Sequence, residues 1–316
     1  MIAFGPVPSR RLGRSIGINN IPPKVCSYAC VYCQLGRAIQ MRAERKQFYN
    51  PHEVARAVKE KLEAVQAQGG TVDYLTFVPD GEPTLDLSLA QEIDALLPLG
   101  VPLAIISNSS TIHNAEVRRE LSRLHWVSLK ADAGDAATWK KVDRPYKTLR
   151  YDAIAHGQLD FASSYKGRLM TETMLIEGYN TQEGQIERTA EHVAKIGPEI
   201  AYLSIPTRPP AVSAIQPASE ENLAKAYSIF SQKLPKVEYL IGYEGNAFAA
   251  TGNAEEDILS ITAVHPMRQD ALELFLKKQN EPWALVERLL SQGKLIAARY
   301  QDNTFFVRKL RERQMG

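Results

Sequence analysis

The stretch that runs from Cys26 to Cys33 reads CSYACVYC, and with Cys30 between them the three cysteines have the spacing C-x3-C-x2-C. The chain of 316 residues has no other cysteine, so a disulfide framework, which needs an even number spread along the chain, is not expected. Three thiolates from one short loop can hold three corners of a cubane iron–sulfur cluster and leave the fourth iron without a protein ligand. A structural zinc would need a fourth ligand, for which the nearest acid and histidine downstream are Glu44 and His52. Inert buried cysteines are the remaining alternative.

The chain up to about residue 240 alternates short apolar strands with amphipathic helices. Strands are predicted near residues 15–18, 74–78, 103–106, 126–130, 169–176 and 201–205. Repeated strand–helix units predict an α/β fold with a parallel sheet and helices outside it. Six units are too few for a closed eight-stranded barrel and favour a partial, open (β/α)6 barrel, with the functional site in the loops after the strands.

The pattern changes near residue 250. Two helices are predicted over residues 266–278 and 283–292, followed by strands over 295–300 and 304–308 joined by a short turn. This order predicts a small α+β, winged-helix-like module over residues 250–316, next to a barrel domain over residues 1–240. Such modules bind nucleic acid, but they serve as scaffolding or docking surfaces equally often.

The net charge of +2 hides two basic segments. Residues 1–50 contain eight Lys or Arg and one acid, and residues 294–316 contain six Lys or Arg and two acids. Clustered positive charge favours anionic partners, either nucleic acid or a small molecule with a phosphate or carboxylate, although it can also be an ordinary solvated face. Arg10, Arg11 and Arg14 precede the cysteine loop and are candidate substrate contacts; the alternative is that they solvate a terminal segment.

The composition is that of an ordinary globular protein, with 44% apolar and 23% charged residues, which excludes disorder as the main state. No apolar run approaches the roughly 20 residues of a membrane helix, and the N-terminus lacks the apolar stretch of a signal peptide. We therefore expect a cytoplasmic protein without a membrane partner. The sequence does not define an oligomeric state.

The cysteine loop, with Tyr32 directly before its last cysteine, resembles the signature of the radical S-adenosylmethionine (SAM) superfamily, and further motifs match in order up to about residue 240. The resemblance implies one 4Fe-4S cluster on Cys26, Cys30 and Cys33, with SAM bound at the open iron. It also implies an enzyme that cleaves SAM reductively to a 5′-deoxyadenosyl radical, which takes a hydrogen atom from the substrate. Tyr32 is then a candidate cofactor contact.

Residues 80–84 read Asp-Gly-Glu-Pro-Thr and resemble the Gly-Gly-Glu motif of that family, with Asp80 in place of the first glycine. The resemblance implies that Asp80, Gly81 and Glu82 bind the amino group of SAM. A backbone carbonyl and a carboxylate are suitable acceptors for an ammonium group. Taken alone, an acid before proline more commonly marks the start of a helix.

Further SAM contacts are implied at the ends of the next strands. Ser107, Asn108, Ser128 and Lys130 are candidates for the ribose and carboxylate of SAM, and Ile176 belongs to a segment that resembles the one packed on adenine. Polar residues at strand ends are otherwise usually turn residues. Lys130 could also form a Schiff base with a keto acid, or an ordinary salt bridge.

Residues 5–20, GPVPSRRLGRSIGINN, together with the cysteine loop and residues 80–84, resemble a group related to the wybutosine-type enzymes, which condense a methylguanosine of transfer RNA with pyruvate. Those synthases carry a second set of cysteines, and the absence of a fourth cysteine excludes a second thiolate-bound cluster here. The resemblance implies an RNA or nucleoside substrate and a reductant such as flavodoxin or ferredoxin. Two alternatives stay open: the same chemistry on a peptide, protein or small metabolite, and a metal-thiolate regulator that binds nucleic acid.

Overall fold

The computed structural model describes residues 2–36, 40–241, 253–264, 266–300 and 302–309. The predicted start of the C-terminal module at residue 250, one residue of its hairpin turn, and the basic residues after 309 lie outside these ranges. The first described range contains the whole cysteine loop.

The strands of described residues 2–241 are short, and most are rich in β-branched and other apolar residues. They are β1 (Ala3–Ser9), β2 (Gly13–Ile18), β3 (Val25–Cys26), β4 (Gln40–Met41), β5 (Tyr74–Phe77), β6 (Leu103–Ser107), β7 (Trp126–Lys130), β8 (Arg168–Met174), β9 (Ile200–Ser204) and β10 (Val237–Leu240). All except β3 and β4 form one sheet in the order β1-β2-β5-β6-β7-β8-β9-β10. The pairs from β2 to β10 are parallel, whereas β1 is antiparallel to β2. The α/β class and the partial, open barrel are thereby confirmed.

The helices of this part connect the parallel strands. They are α1 (Pro51–Ala67), α2 (Leu89–Leu96), α3 (Ala115–Leu121), α4 (Ala136–Asp143), α5 (Tyr151–Ser164), α6 (Glu183–Ile196) and α7 (Glu220–Lys233). Local chemistry sets their ends: Asn50 caps α1 by accepting a hydrogen bond from the backbone N–H of His52, with Pro51 at the first helical position. The helix α6 ends at Gly197, which caps it in the left-handed conformation with a φ of 64°.

Four elements of the barrel differ from the sequence-based prediction. The strand over 201–205 is not the last of the series, because β10 extends the sheet beyond β9. The N-terminal strand β1 and the short helix α4 were not expected either. The strand predicted over 169–176 ends at Met174, because Leu175 and Ile176 turn away to pair with the segment before α7.

The sheet has a different core on each face. Its outer face packs against the helices in the largest apolar cluster. Its inner face is filled at one end by Leu12, Trp126 and Met170 together with apolar residues of β6 and β9. Because Leu12 lies in the turn between β1 and β2, this hairpin reaches across the inside of the sheet and supplies part of its packing. The space that remains open on the inner face lies next to this apolar cluster, toward the carboxyl ends of the strands.

The C-terminal residues form a winged-helix arrangement. Its elements are α8 (Ala254–Val264), β11 (Met267–Arg268), α9 (Gln269–Gln279), α10 (Ala284–Ser291), β12 (Leu295–Tyr300) and β13 (Asn303–Arg308). The predicted hairpin is confirmed as β12 and β13, and β11 pairs with the far side of β13. The helix predicted over 266–278 begins at Gln269 instead, because Met267 and Arg268 belong to the sheet. These elements share a core of their own.

This winged-helix part packs against the barrel at the β1 edge. Val7 of β1 joins its apolar core, and Lys61 of α1 lies 3.0 Å from the buried carboxylate of Asp257. At the tip of the β12–β13 hairpin, Tyr300 donates a hydrogen bond of 3.1 Å to the carbonyl of Pro206. Within the described part of the chain, no helix is both long and apolar enough to cross a membrane.

Candidate active site

The cysteine loop is held in place by backbone hydrogen bonds on both sides. On one side Cys26 pairs with Met41 between β3 and β4. On the other side Ala29 donates to the carbonyl of Asp143, and Val31 donates to the carbonyl of Val142, both over 3.0 Å. The end of α4, which the sequence did not predict, is therefore what supports the loop from behind.

A half-enclosed cavity of about 340 Å³ opens in front of this loop. Its volume is within the range of roughly 300–1,000 Å³ that is usual for small-molecule sites. The three cysteines line it together with the inner face of the sheet, the β1–β2 hairpin and the loop after β9. Its polar and charged lining residues include Arg11, Ser15, Gln34, Thr76, Glu82, Ser107, Asn108, Lys130, Glu172, Ser204 and Arg208.

The structure brings most of the predicted site residues to this cavity and leaves others outside its lining. Those that line it are Cys26, Cys30, Cys33, Tyr32, Gly81, Glu82, Ser107, Asn108, Lys130 and Arg11. Those outside it are Asp80, Ser128, Ile176, Arg10 and Arg14. Arg10 and Arg14 are exposed, and Asp73 is the ion-pair partner of Arg14. Ile176 packs behind the cysteine loop against Val31.

Gly81 lies where the Asp-Gly-Glu segment meets the cysteine loop. A Cβ atom at this position would lie 1.9 Å from the carbonyl oxygen of Val25, so a larger residue cannot be accommodated without moving one of the two segments. The next residue, Glu82, donates its backbone N–H to the same carbonyl over 3.2 Å. The glycine thus permits the close approach that joins the two motifs.

Glu82 is buried, and its carboxylate accepts hydrogen bonds from several groups. Oε1 accepts from the hydroxyl of Ser107 over 2.8 Å and from the backbone and hydroxyl of Thr84. Oε2 accepts from the backbone N–H of Asn108 over 2.6 Å. Burial raises the pKa of Glu82, and these donors oppose the rise. Through its hydrogen bonds with Ser107 and Asn108, the side chain connects the end of β6 to the Asp-Gly-Glu segment.

Asp80 is buried outside the cavity lining. Burial raises its pKa to about 7, although the positive charge of Lys24 opposes the rise.

The amide of Asn108 is oriented toward a cysteine sulfur. Its Oδ1 accepts a hydrogen bond of 2.9 Å from the backbone N–H of Ser110, which fixes which end of the amide is oxygen. Its Nδ2 then lies 3.0 Å from the Ser27 hydroxyl and 3.5 Å from Cys26 Sγ. The side chain predicted to contact SAM thus also donates toward a candidate cluster ligand.

A buried ion cluster spans the inner wall of the cavity. Glu172, in the middle of β8, has Oε2 2.5 Å from Nη1 of Arg11 and Oε1 3.2 Å from Nζ of Lys130. Ser204 also donates to Oε1, over 3.0 Å. Burial disfavours the charged carboxylate, but Lys130 and Arg11 outweigh it and lower the pKa of Glu172 to about 2. The carboxylate is therefore ionised at neutral pH, and it anchors the N-terminal hairpin to the barrel.

Lys130 and Tyr32 connect this cluster to the cysteine loop. Nζ of Lys130 lies 5.0 Å from the centre of the Tyr32 ring and 3.6 Å from Oδ1 of Asp132. The hydroxyl of Tyr32 donates to the other oxygen of Asp132. Burial opposes the charge on Lys130, yet Asp132 and Glu172 raise its pKa above the ordinary value. Lys130 is thus held as an ammonium ion.

The three thiols do not have the environment of free nucleophiles. Burial raises the pKa of Cys26 to about 12 and that of Cys33 to about 11. Burial also raises the pKa of Cys30, whose Sγ lies 3.3 Å from Oδ1 of Asp143. Thiols of this kind are poor nucleophiles until a metal displaces their protons. Three sulfurs that face one cavity next to an amide donor therefore fit a cluster held at one face.

A single metal ion, unlike a cubane cluster, needs several ligands that converge on one point. Among the described residues, no three His, Cys, Asp or Glu side chains surround one point as a metal ion needs. In a cubane each thiolate binds a separate iron, so the sulfurs do not converge on one point.

Four residues of the cavity lining were not predicted from the sequence: Glu172, Ser204, Gln34 and Arg208. Arg208 donates to Oε1 of Gln34 over 2.7 Å, which links the loop after β9 to the residue that follows the last cysteine. Glu172 carried a signal, because a charged residue in the middle of a buried strand requires a partner. The other three lie in loops or at a strand end, where polar residues are common.

Comparisons with known proteins agree with this geometry. Residues 20–190 match the family model described as the radical SAM superfamily. A UPF0026 protein of Methanocaldococcus jannaschii is 42% identical over 314 residues, which cover 99% of this chain and 97% of that protein.

Two solved structures share the fold at low sequence identity. The structure of TYW1 with a lysine-pyruvate adduct bound has a TM-score of 0.54 at 17% identity, covering 70% of this chain and 74% of that one. The structure of Streptococcus suis SuiB bound to the precursor peptide SuiA has a TM-score of 0.53 at 12% identity, covering 72% of this chain and 49% of that one. The chain therefore belongs to the radical SAM superfamily, as an enzyme whose cofactors are a 4Fe-4S cluster and SAM.

Proposed function

We propose that this enzyme removes a hydrogen atom from a nucleoside within RNA, in the cavity in front of the cysteine loop. The cluster and SAM, when bound, supply a 5′-deoxyadenosyl radical after a one-electron reduction. Cys26, Cys30 and Cys33 hold the cluster, and the half-enclosed cavity limits access of water to the reacting atoms. The observation that supports RNA is the winged-helix arrangement of the C-terminal part, whose hairpin contacts the loop after β9 beside the cavity.

The Asp-Gly-Glu segment is proposed to receive the amino group of SAM through its backbone. The carboxylate of Glu82 already accepts hydrogen bonds from Thr84, Ser107 and Asn108. The backbone carbonyls of Asp80 and Glu82 also accept hydrogen bonds, from Lys24 and Leu85. The carbonyl of Gly81, a residue that lines the cavity, is therefore the proposed acceptor for the ammonium group. In this proposal Glu82 is a positioning residue, which holds the segment and β6 at a fixed separation.

Lys130 is proposed to orient an anionic group of SAM or of the substrate. A Schiff base with a keto acid requires the neutral amine, whereas Asp132 and Glu172 stabilise the ammonium form. The lysine-pyruvate adduct in the TYW1 structure belongs to that protein. Here the charge of Lys130, its distance of 5.0 Å from the Tyr32 ring and its place in the cavity lining favour electrostatic binding.

The winged-helix part is proposed to be a separate domain that positions the RNA. In this division residues 1–240 form the barrel domain and residues 250–316 form the second domain, which has its own apolar core. The hydrogen bond from Tyr300 to Pro206 holds the hairpin beside residues that line the cavity. Phosphate contacts along such a domain would supply affinity, while a splayed base enters the cavity.

The test is an anaerobic incubation of the reconstituted enzyme with SAM, reductant and total RNA, followed by nucleoside mass analysis. We expect RNA to stimulate release of 5′-deoxyadenosine, and RNA binding to weaken steeply as salt rises. A matched sample of the Tyr300→Ala variant should retain basal SAM cleavage and lose much of the stimulation. Stimulation that is absent with RNA, or unaffected by the variant, would contradict the proposal.

The second candidate is the same chemistry on a peptide, a protein or a small metabolite. The cavity volume of about 340 Å³ is in the range of small-molecule sites, and SuiB was solved with a precursor peptide. Stimulation by a peptide or metabolite fraction but not by RNA would favour this candidate.

The alternative of a metal-thiolate regulator does not agree with membership of an enzyme superfamily. The reductant is proposed to be flavodoxin or ferredoxin.

A further inference from the structure

We infer that a basic surface behind the cysteine loop is the docking site of an acidic one-electron carrier protein. The surface, which we name the cluster-loop patch, consists of Arg42, Lys46, Phe48, Arg144 and Lys147. Radical SAM chemistry requires an electron donor that approaches the cluster. The inference concerns where this donor binds, and it depends on the cluster but not on the identity of the substrate.

Two segments form the patch, and both run beside the backbone of the cysteine loop. On one side Arg42 donates its backbone N–H to the carbonyl of Cys26 over 3.0 Å. On the other side the carbonyl of Arg144 accepts from Ala29 over 3.2 Å, and Tyr146 donates to Ser27 over 2.8 Å. A protein that rests on these segments is separated from the loop by little more than one layer of backbone.

An aromatic ring lies between the surface and the first cysteine. Nζ of Lys46 is 5.1 Å, and the guanidinium carbon of Arg42 is 5.7 Å, from the centre of the Phe48 ring. The inner side of Phe48 packs against Ile21, Val25 and Leu85, so the ring reaches the residue that precedes Cys26. The ring and its two cations thus form an ordered platform rather than a set of loose side chains.

The charge of the patch defines the chemistry of its partner. Lys46, Arg144 and Lys147 are exposed. The segments 40–49 and 144–150 contain a single acid, Glu44, and Arg45 in the first segment is already paired with Glu120. Such a surface favours a negatively charged protein, and charge complementarity increases association rates by about 10- to 1,000-fold.

The position of the patch favours an electron carrier over the substrate. None of its five residues lines the cavity, whereas the atom that loses hydrogen has to enter the cavity. Electron transfer moves no atoms: the carrier loses one electron and the oxidised cluster gains it. A partner on the patch can therefore act while SAM and substrate occupy the other side of the cysteine loop.

The test compares cluster reduction by two donors in the reconstituted enzyme without substrate. One donor is a bacterial flavodoxin in its hydroquinone form, and the other is photoreduced 5-deazariboflavin, which is small and uncharged. The variant is Arg144→Glu with Lys147→Glu. The control is Lys166→Glu with Lys195→Glu, which makes the same charge change at exposed positions before β8 and β9, at the opposite end of the strands. Bleaching of the cluster absorbance gives the rates.

We expect flavodoxin to reduce the patch variant at least tenfold more slowly than the wild type at low salt, with a weaker dependence on salt. The control variant should behave as the wild type, and deazariboflavin should reduce all three proteins equally. The milder variant Arg144→Gln with Lys147→Gln should be reduced by flavodoxin at a rate between those of the wild type and the patch variant. Unchanged reduction by flavodoxin would overturn the inference. Equal slowing with deazariboflavin would place the effect in the cluster and overturn it as well, and weakened RNA binding without slower reduction would assign the patch to RNA.

Discussion

Glu172→Gln is expected to destabilise the folded enzyme by about 3 kcal/mol at neutral pH. The pKa of Glu172 is lowered from 4.5 to about 2 by Lys130 and Arg11 against the effect of burial. A shift of roughly 2.5 units corresponds to about 3 kcal/mol, at 1.36 kcal/mol per unit. Loss of one partner from a buried ion pair costs a similar amount, roughly 3–5 kcal/mol. Because the folded-state pKa is depressed, this stabilisation is present above pH 4.5 and is lost as the pH falls toward 2.

Thermal unfolding of the cluster-loaded enzyme under anaerobic conditions measures this effect. For a chain of this size, about 3 kcal/mol corresponds to a lowering of the unfolding midpoint by roughly 5–10 °C. Glu199→Gln is the matched control, because Glu199 pairs with Arg168 over 2.6 Å but is 46% exposed; exposed pairs contribute about 0–1 kcal/mol. If Glu172→Gln lowers the midpoint no more than Glu199→Gln, the ion cluster does not stabilise the barrel and the reasoning is wrong.

Two further changes test the site, and a third tests the packing of α6. Asn108→Ala removes the amide that lies 3.5 Å from Cys26 Sγ, so potentiometric titration should show a cluster potential lower by roughly tens of millivolts. Gly81→Ala places a Cβ atom 1.9 Å from the carbonyl of Val25; it should destabilise the protein by about 1–3 kcal/mol in thermal unfolding and reduce cluster uptake. Burial, together with the charge of Lys195, lowers the pKa of His192 from 6.5 to about 4. The free energy of unfolding of the wild type should therefore fall as the pH drops from 6.5 toward 4. His192→Gln should flatten this pH dependence.

Two of these predictions have a control variant. Asn114→Ala removes the cap of α3 and should leave the potential unchanged; an equal shift would show that Asn108 acts only through folding. Gly184→Ala adds a Cβ atom with no contact closer than 3.4 Å and should leave cluster uptake intact. Identical pH profiles for wild type and His192→Gln would mean that His192 does not titrate as its burial requires.

The regular parts of the barrel follow from local periodicity. Helices such as α1 and α6 carry apolar residues on one face and end at glycine or a polar cap, so their existence could be predicted without tertiary information. The missed strand β1 contains Gly5, Pro6 and Pro8, which weaken any strand signal. The missed β10 spans only Val237–Leu240, and Trp139 and Val142 are the only large apolar residues of the eight-residue helix α4.

The cysteines could be proposed as cluster ligands from the sequence because all three lie in one short loop. The ion cluster could not, since Arg11 and Glu172 are 161 residues apart and meet only because the β1–β2 hairpin reaches inside the sheet. The contact of Asn108 with Cys26 likewise joins residues 82 positions apart, although the hydrogen bond from Ser110 that orients the amide is local. Of the residues predicted at strand ends, Ser107, Asn108 and Lys130 line the cavity, whereas Ser128 and Ile176 do not. The partner of each polar group could not be predicted without the folded chain.

Three neighbouring thiolates are proposed to hold a 4Fe-4S cluster that leaves one iron for SAM. Anaerobic reconstitution, followed by iron analysis and incubation with SAM and reductant, is the decisive experiment. We expect about four irons per chain and release of 5′-deoxyadenosine, with both lost in the Cys30→Ala variant. A colourless, iron-free protein, or a cluster that survives Cys30→Ala, would contradict it.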